Sequence, residues 1–319
     1  MNKRSKIYIL LTLFVILTID MTTASAKENH KKVRYGIEKV DGLDIFYREA
    51  GDPSKQALVL LHGFPHSSHQ YRQLLAELGD EFYLIAPDYP GFGDSSFPSP
   101  TEFDYTFDNF ANIIDTFLVQ RKINNYVLMI QDYGAPVGLR IATKHPEKVA
   151  GFVVMNGNIY EEGVNHESFK PIISYWKNKN DLELEKTITQ QIFSPAGLQW
   201  QYTHGTRNPE SINPDNWNLD ILKFSREGQY RMQLDLFFDY QNNLPLYPVW
   251  QQYLRDNQPP MLIVWGKNDA FFTEAGAAAF KRDVKDIDYY ILDTGHFPLE
   301  EDTPFILEKM RIFLNTKVK

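Results

Sequence analysis

The chain has 319 residues, 43% hydrophobic and 23% charged, which is the profile of a folded globular protein and excludes a disordered chain. Its formal charge of −8 disfavours nucleic acid and anionic lipid as partners. There is no cysteine, so no disulfide framework exists, and a core of this size needs none.

The first 26 residues read as a leader. Lys3, Arg4 and Lys6 precede an apolar run over residues 7–19, and Ala24-Ser25-Ala26 follows as a small-x-small cleavage site. The run is short of the ~20 apolar residues that span a bilayer. A secretory signal peptide over residues 1–26 is therefore expected, with export and no stable membrane association of the mature chain; an uncleaved N-terminal anchor is the alternative. Cleavage would leave Lys27 at the start. It removes three cations and the anion Asp20, which takes the charge from −8 to −10.

Two strand-like runs come next, over residues 35–40 and 43–48, joined at Asp41-Gly42, a hairpin signal. Short apolar runs over 57–61, 82–86, 126–130, 150–155, 261–265 and 287–292 have the character of buried parallel strands. Helical spacing of apolar residues appears over 69–78, 107–119, 135–145, 274–282 and 304–314. Alternation of strands and helices predicts an α/β fold: a mostly parallel central sheet with helices on both faces. The alternation stops over residues 158–258, a stretch rich in Tyr and Trp. We expect a mainly helical cap there, dividing the core into residues 27–157 and 259–319.

Four motifs sit where apolar runs end. In Gln131-Asp132-Tyr133-Gly134, a polar residue closes an apolar strand and a helix follows. Such a sharp turn presents the middle side chain at the carboxyl edge of the sheet, beside a helix N-terminus. In many hydrolases that residue is Ser; here it is Asp132, so the nucleophile would be a carboxylate. His62-Gly63-Phe64-Pro65 follows another buried run. The backbone N–H groups of Phe64 and Tyr133 could converge on an oxyanion, and a cis Phe64–Pro65 bond would aim the first inward. A metal site on His62, His66 and His69 is disfavoured, because Gly63 and Pro65 prevent the helix their spacing needs. Asp269, in Trp265-Gly266-Lys267-Asn268-Asp269, and His296, in Thr294-Gly295-His296-Phe297-Pro298, complete the order nucleophile, acid, histidine.

Taken together, these motifs resemble the epoxide hydrolase and haloalkane dehalogenase branch of the α/β-hydrolases. The resemblance runs from HGFP through APDYPGFGDS (residues 86–95), QDYG and WGKND to GHFPLEE. It implies the α/β-hydrolase fold with a cap, no metal or organic cofactor, and a small apolar organic substrate hydrolysed with water. Asp132 would form an ester, and His296, oriented by Asp269, would activate water to break it. Opening an epoxide to a diol is the first expectation, with Tyr240 and Tyr175 of the cap as proton donors. Hydrolytic dehalogenation is the alternative, with the Trp176 indole N–H as a halide donor. Two departures weaken the dehalogenase pattern: Tyr133 stands where Trp is usual, and Phe64 where many members carry Asn; Tyr133 departs from the epoxide-hydrolase norm as well, where Trp is common too. Gln131 looks like some dehalogenases. A non-catalytic ligand binder that keeps the fold is the remaining alternative, and no motif speaks to oligomeric state.

Overall fold

The computed structural model describes residues 33–164 and 166–318. The leader over residues 1–26 lies outside the described residues. Eight strands form one sheet: β1 (Arg34–Val40), β2 (Leu43–Ala50), β3 (Ala57–Leu61), β4 (Tyr83–Pro87), β5 (Tyr126–Ile130), β6 (Val149–Met155), β7 (Met261–Gly266) and β8 (Ile287–Leu292). Their order is β1-β2-β4-β3-β5-β6-β7-β8. β2 is antiparallel to both its neighbours, and the pairs from β4 to β8 are parallel.

Position in the sheet explains the strand sequences. β3, β4, β5 and β7 are buried along their whole length, hence their unbroken apolar runs. β1 alternates, leaving Tyr35 and Ile37 on a solvent face. Asp41 and Gly42 both take positive φ (49° and 85°), as a two-residue hairpin turn requires.

One face of the sheet is covered by α1 (Arg72–Leu78) and the C-terminal helix α11 (Thr303–Thr316), through Leu74, Leu78, Ile306 and Met310. The other face carries α2 (Phe107–Gln120) and α3 (Gly134–Lys144). The helix expected from residue 69 begins instead as a 3₁₀ turn (Ser68–Tyr71), with the Ser67 hydroxyl accepting from the His69 N–H, and becomes α-helical only at Arg72. The run after β7 likewise divides into α10 (Glu274–Ala279) and a 3₁₀ turn (Phe280–Arg282).

Between β6 and β7 lie α4 (His166–Lys177), α5 (Leu182–Ile188), α6 (Pro195–Thr203), α7 (Asp215–Phe224), α8 (Gln229–Asp239) and α9 (Tyr247–Asn257). Their buried aromatics, among them Phe169, Phe193, Phe237 and Tyr240, pack in the same apolar cluster as α2 and α3. Among the described residues no helix is long and apolar enough to cross a membrane.

The strand order places the site. The chain steps from β3 outward to β4, then returns to lay β5 on the other side of β3. At that reversal the loops after the two strands diverge and leave a crevice at their carboxyl ends. Residues 62–65 and 131–133 are those loops.

Candidate active site

The turn between β5 and α3 holds Asp132 in a left-handed backbone conformation, φ 49°. A non-glycine residue there costs about 1 kcal/mol or more, so the surroundings must hold it in place. They do so by closeness. A Cβ on Gly134 would sit 2.1 Å from the Leu61 carbonyl oxygen, and one on Gly63 would sit 2.3 Å from Asp132 Cβ. Glycine at both positions lets the two loops touch.

That contact brings two N–H groups to one carboxylate oxygen. Asp132 Oδ1 accepts from Phe64 N at 2.7 Å and from Tyr133 N at 2.6 Å. The Phe64–Pro65 bond is cis. The other oxygen, Oδ2, lies 3.8 Å from His296 Nε2, too far for a direct hydrogen bond and within reach through one water. Burial pushes the Asp132 carboxyl up to about 6, against the opposing pull of His296 and the two N–H groups.

His296 follows β8 and is itself buried. Its Nδ1 faces Asp269 Oδ2 at 2.7 Å. Burial disfavours the imidazolium, but the charge and hydrogen bond of Asp269, with the charge of Asp132, outweigh it and raise the pKa. On the ring's far side the Gln131 amide nitrogen lies 3.0 Å from Nε2. An amide donor there leaves Nε2 as acceptor and the ring proton on Nδ1, toward Asp269.

Asp269 sits in the loop after β7. Its Oδ1 accepts from Phe271 N (2.7 Å) and Phe272 N (3.2 Å), and its Oδ2 also accepts from Asn156 Nδ2 (2.7 Å). Asn156 follows β6 with φ 48°, and its Oδ1 accepts from Gly266 N at 2.9 Å. One side chain therefore ties the loop after β6 to the loop after β7 and orients the carboxylate behind His296. The sequence reading missed Asn156. The signal was present, since a polar residue directly after an apolar run is the same cue that marks Asp132.

A cavity opens over Asp132 and His296. Its walls are apolar: Phe64, Phe169, Ile172, Phe237, Phe271 and Phe272 are among them. Tyr133, Tyr240 and Gln201 also line it. The hydroxyl of Tyr133 is buried with no hydrogen-bond partner among the described residues. The Tyr240 hydroxyl lies near that of Tyr247, whose oxygen accepts from Asn158 Nδ2 at 3.5 Å.

Two expected cap residues are not brought to this cavity. Tyr175 is buried, but its hydroxyl donates to Glu185 (2.9 Å) and accepts from Arg231 (2.7 Å), an ion-pair network on the far side of α4. It is not placed to protonate a substrate over Asp132. Trp176 spends its indole N–H on the Phe237 carbonyl (2.7 Å) and stacks on the Tyr240 ring, so that N–H is not open to a halide.

The histidines weighed as metal ligands have other partners. His62 Nε2 accepts from Tyr89 N (3.3 Å), and burial lowers its pKa to about 4. His66 meets the Tyr202 hydroxyl, which also donates to Asp220. Among the described residues, no three His, Asp or Glu side chains are grouped to hold a metal ion.

A carboxylate, an acid-oriented imidazole and paired N–H groups at the carboxyl edge of an eight-stranded sheet define a hydrolase site. The chain belongs to the alpha/beta hydrolase fold family, whose pattern it matches over residues 56–303. It is 41% identical over 275 residues to the uncharacterized hydrolase YNR064C of Saccharomyces cerevisiae, covering 86% of this chain and 94% of that one. It is 26% identical over 282 residues to Epoxide hydrolase 4 of Homo sapiens, covering 85% of this chain and 75% of the relative. In fold it is similar to the haloalkane dehalogenase DatA from Agrobacterium tumefaciens C58. There the TM-score is 0.72 at 21% identity, over 89% of this chain and 96% of that one.

Proposed function

We propose that this hydrolase opens epoxides to diols through an ester on Asp132. The observation that carries the reading is the division of labour within one carboxylate: Oδ1 is held by two N–H groups, and Oδ2 faces the cavity beside His296.

In the first step Oδ2 attacks a ring carbon, the carbon–oxygen bond breaks, and the leaving oxygen takes a proton from a phenol. Tyr240 and Tyr133 are the two phenols lining the cavity. A phenol has one proton and two lone pairs. When Tyr240 turns its proton to the substrate, Tyr247 can donate to the Tyr240 oxygen and stabilise the phenolate. In the second step the Gln131 amide gives up Nε2, and His296 takes a proton there from water, which attacks the ester carbonyl carbon. The charge that develops on Oδ1 already has its two donors in place, which is worth a few kcal/mol in a water-poor site. Collapse returns the diol oxygen, protonated by His296, and the second water proton passes from the Asp132 carboxyl to the phenolate, which restores both groups.

Phenols, rather than indole N–H groups, suit an oxygen leaving group, which needs a proton where a halide does not. The relative named as an epoxide hydrolase supports the same reading. The leader motif supports an exported enzyme, and Lys27 as the first residue of the secreted chain would test that.

The test is intact-protein mass spectrometry of the His296→Gln variant incubated with an alkyl epoxide. The expected result is an adduct of the epoxide's full mass on Asp132, and in wild type release of diol. Halide release from haloalkanes with no diol from epoxides would assign the site to dehalogenation. An unmodified protein that binds the epoxide tightly would make it a binder.

A further inference from the structure

We infer that Gln201 makes this site selective for substrates carrying a hydroxyl group at a distance from the reacting carbon. The inference rests on the epoxide reading for the reaction, but its evidence is separate.

Outside the catalytic cavity lies a wider, more open recess between α4 and α6, lined by Pro171, Gln191 and Trp200 among others. Three residues, Ile192, Gln201 and Phe271, line both spaces and so stand where the two meet, the proposed neck. Ile192 and Phe271 are apolar. Gln201 is the polar group of the neck, and it is only 2% exposed.

The orientation of its amide is set by the backbone beside it. The π-helical turn Thr189–Phe193 precedes α6. Gly197 lets that turn press against the helix, since a Cβ there would lie 2.3 Å from the Gln191 carbonyl oxygen and 2.8 Å from that of Ile192. The Ile192 carbonyl accepts from Gln201 Nε2 at 3.2 Å. The nitrogen end is thereby committed, because a carbonyl can pair only with a donor. The oxygen end, Oε1, is buried with no hydrogen-bond partner among the described residues.

An acceptor left in this state is costly, and a ligand that supplies a donor recovers that cost on binding. A purely hydrocarbon tail crossing the neck cannot do so. A hydroxyl can. The substrate class is therefore an epoxide with an apolar body that fills the phenylalanine-walled cavity and a hydroxyl that meets Gln201 at the neck. Sites built to pair a substrate hydroxyl discriminate strongly against analogues that lack its proton.

The experiment uses epoxy alcohols with the hydroxyl two to six carbons from the ring, each paired with its O-methyl ether. For at least one chain length, kcat/KM for the alcohol should exceed that for the ether by about tenfold in wild type. In Gln201→Met, which keeps the length of the side chain and removes the acceptor, the ratio should fall toward one. Equal rates for every pair in wild type would overturn the inference, as would a ratio that survives in the variant. Calorimetry with ring-free alcohol and ether pairs on the wild-type chain reads the same preference without turnover, and binding that ignores the hydroxyl would count against it. The outcomes separate the two claims. An Asp132 adduct with no alcohol preference removes the role of Gln201 alone. A binding preference for alcohols with no adduct removes the Asp132 ester alone.

Discussion

The strand-end loops and the cap build the same cavity by different means. At the sheet edge the carboxylate itself is fixed by backbone: φ 49° at Asp132, two N–H donors to its Oδ1, and loops that touch through Gly63 and Gly134. In the cap, position depends on which face of a helix a side chain occupies and on what packs against it. The lesson is that chemistry common to hydrolases is held by main chain, while the leaving group and substrate are recognised by side chains that packing has arranged. Each side of that comparison can be attacked separately.

The largest effect should come from the backbone-held side. Asp132→Ala removes the proposed nucleophile and leaves two buried N–H groups without their acceptor. Turnover should fall by about 10⁴-fold or more, the scale seen when a member of a covalent catalytic set is lost. Single-turnover measurement with an alkyl epoxide checks it, and residual activity within about 100-fold of wild type would mean that another group attacks.

Next come the phenols. Tyr133→Phe and Tyr240→Phe should each lower kcat for epoxide opening by about 10²-fold, the usual worth of a general acid. Their effect should lie in ester formation and not in ester hydrolysis, which rapid-quench mass spectrometry separates. A variant that slows only the hydrolysis of the ester would place that phenol elsewhere in the mechanism.

The pH dependence sharpens the comparison within the catalytic set. Asp132 must be ionised to attack, and burial pushes its carboxyl up to about 6. Ester formation should therefore fall about tenfold per unit below that pH. His296 must be neutral to accept a proton, and in the ester, where Asp132 carries no charge, the charge and hydrogen bond of Asp269 still favour its cation. Ester hydrolysis should thus fail first as the pH is lowered. Between those two limits, wild-type protein should accumulate the Asp132 adduct; an adduct level that does not change with pH would refute the assignment of His296 as base.

A subtler effect is expected at Asn156. Asn156→Gly keeps the left-handed backbone and deletes the amide that holds Asp269. We expect kcat to drop about tenfold with KM little changed, the scale at which groups behind a catalytic ligand act. Asn156→Asp, which cannot donate as a carboxylate, should not rescue it.

The same contrast explains what was legible in the sequence. The sheet and its order of elements were readable because a buried strand must be an apolar run, and those runs gave β3 and β5 to the residue; the run over 287–292 also matched β8, though that edge strand is only half-buried. Asp132, Asp269 and His296 stood out because each is a polar residue just beyond such a run, and the structure brings all three together. The contact of Gln131 with His296 was hidden, since it depends on how two strand ends approach across the sheet. Gln201 was hidden for a similar reason: its free oxygen follows from a π-helical turn that no periodicity announces. In α4 the difficulty was helical phase. Phe169, Ile172 and Trp176 share the face that turns to the cavity and to Tyr240. Tyr175 is one residue and about 100° away, so an aromatic pair in sequence divides between two environments.

That division yields the smallest expected effect and the sharpest check on the cap. The Tyr175 hydroxyl sits between Glu185 and Arg231, which also pair directly at 2.6 Å. Tyr175→Phe removes the hydroxyl and leaves the ion pair able to close on itself. One hydrogen-bonded group is lost from a partly exposed network, so stability should fall by about 1 kcal/mol or less. Epoxide turnover should stay within about twofold of wild type, because nothing facing Asp132 has changed. Parallel denaturant unfolding and steady-state kinetics decide it. If Tyr175→Phe instead matched the loss predicted for Tyr240→Phe, α4 would have to rotate on binding substrate, and the cap would be held no more firmly by its packing than by its sequence.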